Sequence, residues 1–290
     1  MSAPDVGSPR IAVVIPCFND GGTLADAVSS VRAQEPCELV VVDDGSTDPE
    51  TRRELAVLER NGVDVLSQRN AGPSAARMAG VHRTTARYVF PLDADDVLLP
   101  GTLAVLADAL DRDPVAVAAW GNYVTFGIAS VVYETAEELD PWAITYVNEL
   151  PASSLFRRAA LEAVGGWPNT GEYEDWELWM ALAEQGLHGI HVPQVVYRHR
   201  LHGDRRQRRA RARHAAHYAT MARRHDELFR ARSENRRTSR ARWRKVLFPV
   251  IMRLPLHGYD RYRLCSYVAQ PRQTLTFRAD ALRRVLLRRG

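Results

Sequence analysis

The chain has 290 residues, 46% of them hydrophobic and 26% charged, a make-up that excludes a wholly disordered or fibrous chain and fits one large or two modest domains. Its net charge of +4 hides a division. Residues 1–204 hold 14 Arg against 30 Asp and Glu, a net of −16, while 205–290 hold 25 Arg and Lys against 5 acidic residues, a net of +20. An acidic body followed by a basic tail points the tail at a polyanion, either nucleic acid or an anionic lipid surface. Because 38 of the 39 basic residues are Arg, coding bias is the weaker competing reading of that count, but it would not segregate the charge. No run reaches the roughly 18 consecutive apolar residues of a membrane span; Val246 to Met252 is short, contains Pro249 and is bracketed by Lys245 and Arg253. The opening MSAPDVGSPR lacks the basic start and apolar centre of a secretion signal, so a cytoplasmic location is expected, with peripheral attachment at the inner membrane face as a variant of it. Cys17, Cys37 and Cys265 are too few and too scattered for a disulfide framework or a zinc cluster and are expected as reduced thiols.

Short β-branched runs alternate with amphipathic segments over the first 120 residues, the pattern of an α/β protein with a parallel sheet covered by helices. Strands are expected at Ile11 to Ile15, Glu38 to Val42, Val63 to Leu66, Tyr88 to Leu92 and Val115 to Ala119. Thr23 with Asp26 reads as a capping box for a helix through about Gln34, Pro49 and Pro73 stand at first helical positions, and Pro100-Gly101 opens a helix ending near Arg112. Further on, Ile128 to Tyr133 reads as a strand, Arg157 to Val164 as a helix ended by Gly165-Gly166, and Asp175 to Gln185 as a helix ended by Gly186. Two short strands, His188 to Val192 and Val195 to His199, close a first domain over 1–204. From Asp204 the chain reads as Arg-rich helix, a second region over 205–290 with a break near Pro249 to Pro255.

Two acidic clusters carry the chemistry. In YVFPLDADD, Asp93, Asp95 and Asp96 follow a buried strand, at the carboxyl end where open α/β sheets place ligands. If the extended chain continues, Asp93 and Asp95 share a face and Asp96 turns aside. Two convergent carboxylates are costly to hold together without a cation, and hard oxygens favour Mg²⁺ or Mn²⁺; a plain helix-capping cluster is the competing explanation. In ELVVVDDGSTD, Asp43 and Asp44 end another strand before a Gly-Ser turn, where a carboxylate can accept from a base N–H or a ribose hydroxyl. Neighbouring strand residues point to opposite sides, so one of the pair is expected to touch a nucleotide. An Asx turn with Thr47 or Asp48 capping the helix opened by Pro49 is compatible with that role.

IAVVIPCFND, VVVDDGSTD, RNAGPSAARMAG, FPLDADD, VGGW and EYEDWELWMAL, in this order over about residues 10 to 204, resemble the inverting glycosyltransferase family 2 with its nucleotide-sugar-binding GT-A fold. The resemblance implies a mixed, mainly parallel sheet with flanking helices. It also implies transfer of a sugar from a UDP-, GDP- or dTDP-linked donor to a carbohydrate or lipid-linked acceptor, as in polysaccharide, glycolipid or envelope-glycan synthesis. By the same likeness Pro16 and Asn19 border the base and ribose, Asp44 holds one of them, Arg77 lies near the donor phosphates, Asp93 and Asp95 bind the donor through the metal, and Asp175 is the catalytic base. Beside the likeness, Asp175 precedes an apolar-periodic helix bearing Trp176, Trp179, Met180 and Leu182. There burial and the neighbouring Glu174 raise a carboxyl pKa while the helix N-terminus lowers it. Tyr197-Arg198-His199-Arg200-Leu201-His202 stands where the family often carries an element over the diphosphate, leaving His199, Arg200 or His202 for that role. Tyr123, Trp142 and Tyr146 are candidates for stacking on sugars, although such spacing is more common in cores.

The tail, including VLFPVIM and the Leu282, Val285 and Leu286 face of RADALRRVLLRRG, has the pattern of a basic amphipathic surface for an anionic membrane; a helical subdomain whose Arg pair with the acidic body is the equal alternative, and nucleic acid is not expected. Two further functions compete: a nucleotidyltransferase, for which PCFNDGGT lacks a phosphate-gripping cation, and a catalytically inactive nucleic-acid- or membrane-binding protein.

Overall fold

A computed structural model describes residues 9–170, 172–201 and 205–271. In chain order it contains β1 (Ile11–Cys17), α1 (Gly21–Arg32), β2 (Glu38–Asp43), α2 (Pro49–Arg60), β3 (Asp64–Ser67), α3 (Pro73–Arg83), β4 (Tyr88–Pro91), β5 (Val97–Leu98) and α4 (Thr102–Arg112). Then follow β6 (Ala118–Gly127), β7 (Val132–Tyr133), a 3₁₀ turn at Ala143–Thr145, β8 (Leu155–Arg157), α5 (Arg158–Ala163), α6 (Glu174–Glu184) and β9 (Gly189–Leu201). The C-terminal helices are α7 (Arg205–Arg224), α8 (Asp226–Arg230), α9 (Arg232–Thr238), α10 (Arg244–Arg253) and α11 (Gly258–Ala269). The chain forms two units, residues 1–119 with 153–171 and residues 120–152 with 172–290. The boundary expected at 204 follows the change of charge, whereas the described C-terminal helices share a unit with α6 and β9.

In the first unit β3, β2, β1 and β4 run parallel in that order, and β8 adds antiparallel to β4. Ile11 to Ile15 of β1 are wholly buried, because a central parallel strand covered on both faces has no polar side. Pro49 and Pro73 begin α2 and α3 as expected, and Asp48 caps α2 by accepting from Thr51 N at 2.8 Å. The capping box at Thr23 is corrected. Thr23 lies inside α1 with its hydroxyl on Asp20 O, and the first N–H of the helix, that of Gly21, donates across to Thr51 Oγ1 at 2.9 Å. A side chain at Gly21 would meet the Thr51 backbone at 2.4 Å, so the close approach of α1 and α2 does the cap's work. The strand expected from Val115 begins instead at Ala118, because the Asp113 carboxylate takes Val115 N and Ala116 N in a turn.

In the second unit β6 and β7 form a hairpin with Tyr123 opposite Tyr133 and Val124 opposite Val132. The strand expected from Ile128 is thereby cut to its last two residues, the preceding ones being the hairpin's turn. The two strands expected on either side of Pro193 are one strand, β9; a proline is tolerated where the ladder does not need its N–H. The break expected near Pro249 to Pro255 falls at its later end, between α10 and α11 at residues 254–257. α10 continues through Pro249 and ends at Arg253, and the Lys245 carbonyl, which a proline four residues on cannot serve, accepts from Arg236 Nη2 at 2.9 Å. Trp142, Tyr146, Phe248, Ile251, Cys265 and Ala269 share a core cluster of this unit, so Trp142 and Tyr146 are packing residues. The three cysteines are free thiols. Among the described residues no helix is long and apolar enough to cross a membrane. The expected face of Leu282, Val285 and Leu286 lies outside the described residues, as does His202.

Candidate active site

Because β1 pairs in parallel with both β2 and β4, their carboxyl ends lie on one edge of the first unit. Cys17 is level with Asp43, and Val14 with Pro91, so the acidic ends of β2 and β4 stand about 10 Å apart across two strand spacings. Pro16 is half-buried near the end of β1. Asn19, in the left-handed conformation at φ 59° that its side chain tolerates, accepts Thr47 N at 2.8 Å and Asp48 N at 2.9 Å on Oδ1. It therefore stitches the turn after β1 to the loop after β2.

Asp43 and Asp44 do separate work. Asp43 is half-buried and accepts Ser46 N at 2.8 Å. Asp44 is buried and takes Gln68 Nε2 at 2.7 Å, Ala71 N at 2.8 Å and Gly72 N at 2.9 Å. Its carboxylate thus folds the loop that leads into α3. The other side of that loop is held by 166–169: Asn169 Nδ2 donates to Ala71 O at 3.0 Å and Ser74 Oγ to Pro168 O at 2.9 Å. Gly166 has φ 71° and would carry a side chain into Met78, which gives the VGGW run a packing reason. These supports make Arg77 a placed group. It is buried on α3, its Nη2 donates to Asp93 Oδ1 at 2.8 Å, and its guanidinium lies 5.9 Å from the Trp167 ring centre.

After β4 the chain does not stay extended. Asp96 N donates to Asp93 O at 3.0 Å, a turn that brings Asp96 back, so the expectation that Asp96 turns aside is corrected. Oxygens of Asp93, Asp95 and Asp96 lie within 4.8 Å of one another, with Asp96 buried. Three carboxylates share this turn with the Arg77 guanidinium. Hard oxygens at that separation suit Mg²⁺ or Mn²⁺, so the residues fit a divalent cation.

The second unit holds the other candidates. Glu174 and Asp175 open α6, preceded by Tyr173 in the left-handed conformation at φ 65°. Asn148 Nδ2 donates to Asp175 Oδ2 at 3.1 Å, and Leu150 N, at 3.0 Å from Asn148 Oδ1, fixes which way the amide points. Nothing in the sequence pattern marks Asn148. Around the helix start, Tyr173 Oη lies 3.1 Å from His214 Nδ1, and Trp176 lies against Tyr262 with ring centres 5.4 Å apart. Burial pushes the Tyr173 and Tyr262 phenols up, with Asp175 adding to both, and drives the His214 imidazole down to about 4. On β9, His199 meets the Tyr123 ring edge-on at 5.9 Å, and Arg198 and Arg200 each lie 4.4 Å from the Phe126 ring centre. Tyr123 itself stacks on Tyr133 and Tyr197.

A mainly parallel sheet with flanking helices and acidic strand ends on one edge defines the GT-A class of fold. The chain belongs to glycosyltransferase family 2: the family model described as Glycosyl transferase family 2 matches residues 12–165. It is similar to the succinoglycan biosynthesis protein ExoO of Rhizobium meliloti (strain 1021), 32% identical over 105 residues, 36% of this chain and 30% of that protein. It is also similar to an N-acetylglucosaminyltransferase of Mesorhizobium japonicum, 24% identical over 219 residues, 65% of this chain and 50% of the relative. The matches span 12% to 50% of the curated relatives' lengths. Solved structures share the fold. The mannosyltransferase PcManGT from Pyrobaculum calidifontis, in complex with GDP-Man and Mn²⁺, has a TM-score of 0.59 and 22% identity, covering 94% of this chain and 85% of that one. S. aureus TarS 1-349 in complex with UDP-GlcNAc has a TM-score of 0.53 and 17% identity, covering 87% and 69%.

Proposed function

We propose that the protein moves a sugar from a nucleoside-diphosphate donor to an acceptor hydroxyl, with inversion at the anomeric carbon and with a divalent cation. The observation that carries this reading is the turn that gathers Asp93, Asp95 and Asp96 within 4.8 Å, beside a buried Arg77 and on the same sheet edge as Asp43 and Asp44. Family membership supports it, as do relatives whose names include an N-acetylglucosaminyltransferase and neighbours solved with UDP-GlcNAc and with GDP-Man and Mn²⁺.

The donor's base and ribose would lie along Pro16, Asn19, Asp43 and Asp44. A carboxylate has about four acceptor positions; protein donors take three on Asp44, which leaves one for a base N–H or a ribose hydroxyl. Asp93 and Asp95 would hold the cation with Asp96 beside them, and a bound Mg²⁺ or Mn²⁺ supplies neutralisation of charge on the leaving diphosphate. Arg77 would add its fixed positive charge to the same diphosphate. Asp175 is assigned the proton of the acceptor hydroxyl, His199 or Arg200 contact with the diphosphate, and the acceptor is read as a carbohydrate or a lipid-linked glycan handled on the cytoplasmic side. Asp175→Asn is expected to lower transfer at least a hundredfold with the donor Kd unchanged, measured against a panel of nucleotide sugars. Retained transfer would reject the base assignment.

A further inference from the structure

Helix α10 is apolar on two faces. Phe248 and Ile251 are buried in the core cluster with Trp142 and Tyr146. Trp243, Val246, Leu247, Val250 and Leu254 recur at three- and four-residue intervals along the helix and its flanks, and all five are exposed, Val246 at 60%, Val250 at 50% and Trp243 at 49%. A helix that only packs on its own unit carries one such stripe and a polar opposite face; a second contiguous stripe in water marks an interaction surface. The charge along this stretch of chain is basic. Residues 235–259 contain seven Arg and Lys and no Asp or Glu; Arg240 and Arg244 pair with Glu138 and Glu149, while Arg236, Arg237, Arg242 and Arg253 are exposed. α10 runs from Arg244 to Arg253 through Pro249, and Arg236 Nη2 donates to the Lys245 carbonyl.

We propose that this face of α10 is a docking surface for an anionic lipid bilayer, the apolar stripe entering the interface and the flanking guanidinium groups meeting lipid phosphates. Apolar side chains ringed by cations match the interfacial layer of such a membrane, where burial and charge attraction act together. A second copy of the face would bring like charges together. Residues 272–290 carry charge of the same sign, six Arg against one Asp. The inference concerns where the protein sits, and it holds whichever sugar is moved.

The test is co-sedimentation of the full chain with phosphatidylcholine vesicles, with and without one third phosphatidylglycerol. Binding is expected only with the anionic lipid and is expected to weaken as salt rises. Val246→Glu combined with Val250→Glu is expected to reduce binding at least tenfold while transfer to a soluble acceptor is kept. If those glutamates lower Tm, Val246→Ser with Val250→Ser gives the same comparison in milder form. Absence of binding to anionic vesicles would overturn the proposal, as would equal binding by the folded variant, which would assign attachment to other basic residues. A concentration-dependent dimer that the glutamates disperse, without vesicle binding, would overturn it in favour of a second copy.

Discussion

The two units hold their carboxylates by different means. In the first, acidic residues sit on the ends of adjacent parallel strands, and much of their support is backbone: Asp44 takes Ala71 N and Gly72 N, Asp43 takes Ser46 N, and the Asp93 turn is closed by Asp96 N. In the second, Asp175 receives a side-chain amide from Asn148, and the start of its helix is surrounded by Tyr173, His214, Tyr218 and Tyr262. Its ties run far along the chain. Arg232, for instance, donates to Thr145 across 87 positions. A strand edge places functional groups through local geometry, whereas the surroundings of Asp175 are supplied by helices distant along the chain.

The largest expected effect comes from removing Asp44, which accepts from three donors at the strand edge. Asp44→Ala leaves three donors without their carboxylate and is expected to cost about 3 kcal/mol of stability, together with donor affinity, read by chemical denaturation and by nucleotide titration. A loss of donor affinity at unchanged stability would mean that Asp44 serves the ligand and not the loop.

The second unit is expected to respond to pH. Burial is the main cause that holds His214 near 4, with His257, His217 and Arg261 adding to it, against about 6.5 ordinarily. The unfolded chain therefore binds a proton that the fold resists. Stability is expected to fall as pH drops from about 6.5 to about 4, by roughly 3 kcal/mol at the limit. His214→Gln is expected to flatten that part of the Tm profile, and an unchanged slope would remove the residue from the account. The smallest effect is expected at Asn148, a positioning residue: Asn148→Ala should lower kcat about tenfold with the donor KM unaltered and the acidic limb of the pH–rate profile displaced, while a change in donor KM alone would contradict that role.

The same contrast governs what could be read from the residues. β1, β2 and β4 are plain in the sequence because strands covered on both faces are continuous apolar runs that end where the acidic residues begin. Pro49 and Pro73 mark helix starts by their missing N–H. Asp96 was hidden because a turn, not continued extension, follows β4, and the β6 start was hidden by the Asp113 carboxylate, which captures two N–H groups that alternation alone assigns to a strand. Asn148 has no sequence signal, since its importance is a contact 27 positions away. Of the expected break from Pro249 to Pro255, only the later part interrupts helix: α10 passes Pro249, with Arg236 on the Lys245 carbonyl, and ends at Arg253.

The central claim is that the ends of β1, β2 and β4 together bind a nucleoside diphosphate with a divalent cation. Thermal unfolding with UDP or GDP, with and without Mn²⁺, tests it on the wild-type chain and on Asp95→Asn. The account predicts a rise in Tm that needs nucleotide and Mn²⁺ together and is lost in Asp95→Asn. Stabilisation by nucleotide that ignores both Mn²⁺ and Asp95, or none with either nucleotide, would contradict it.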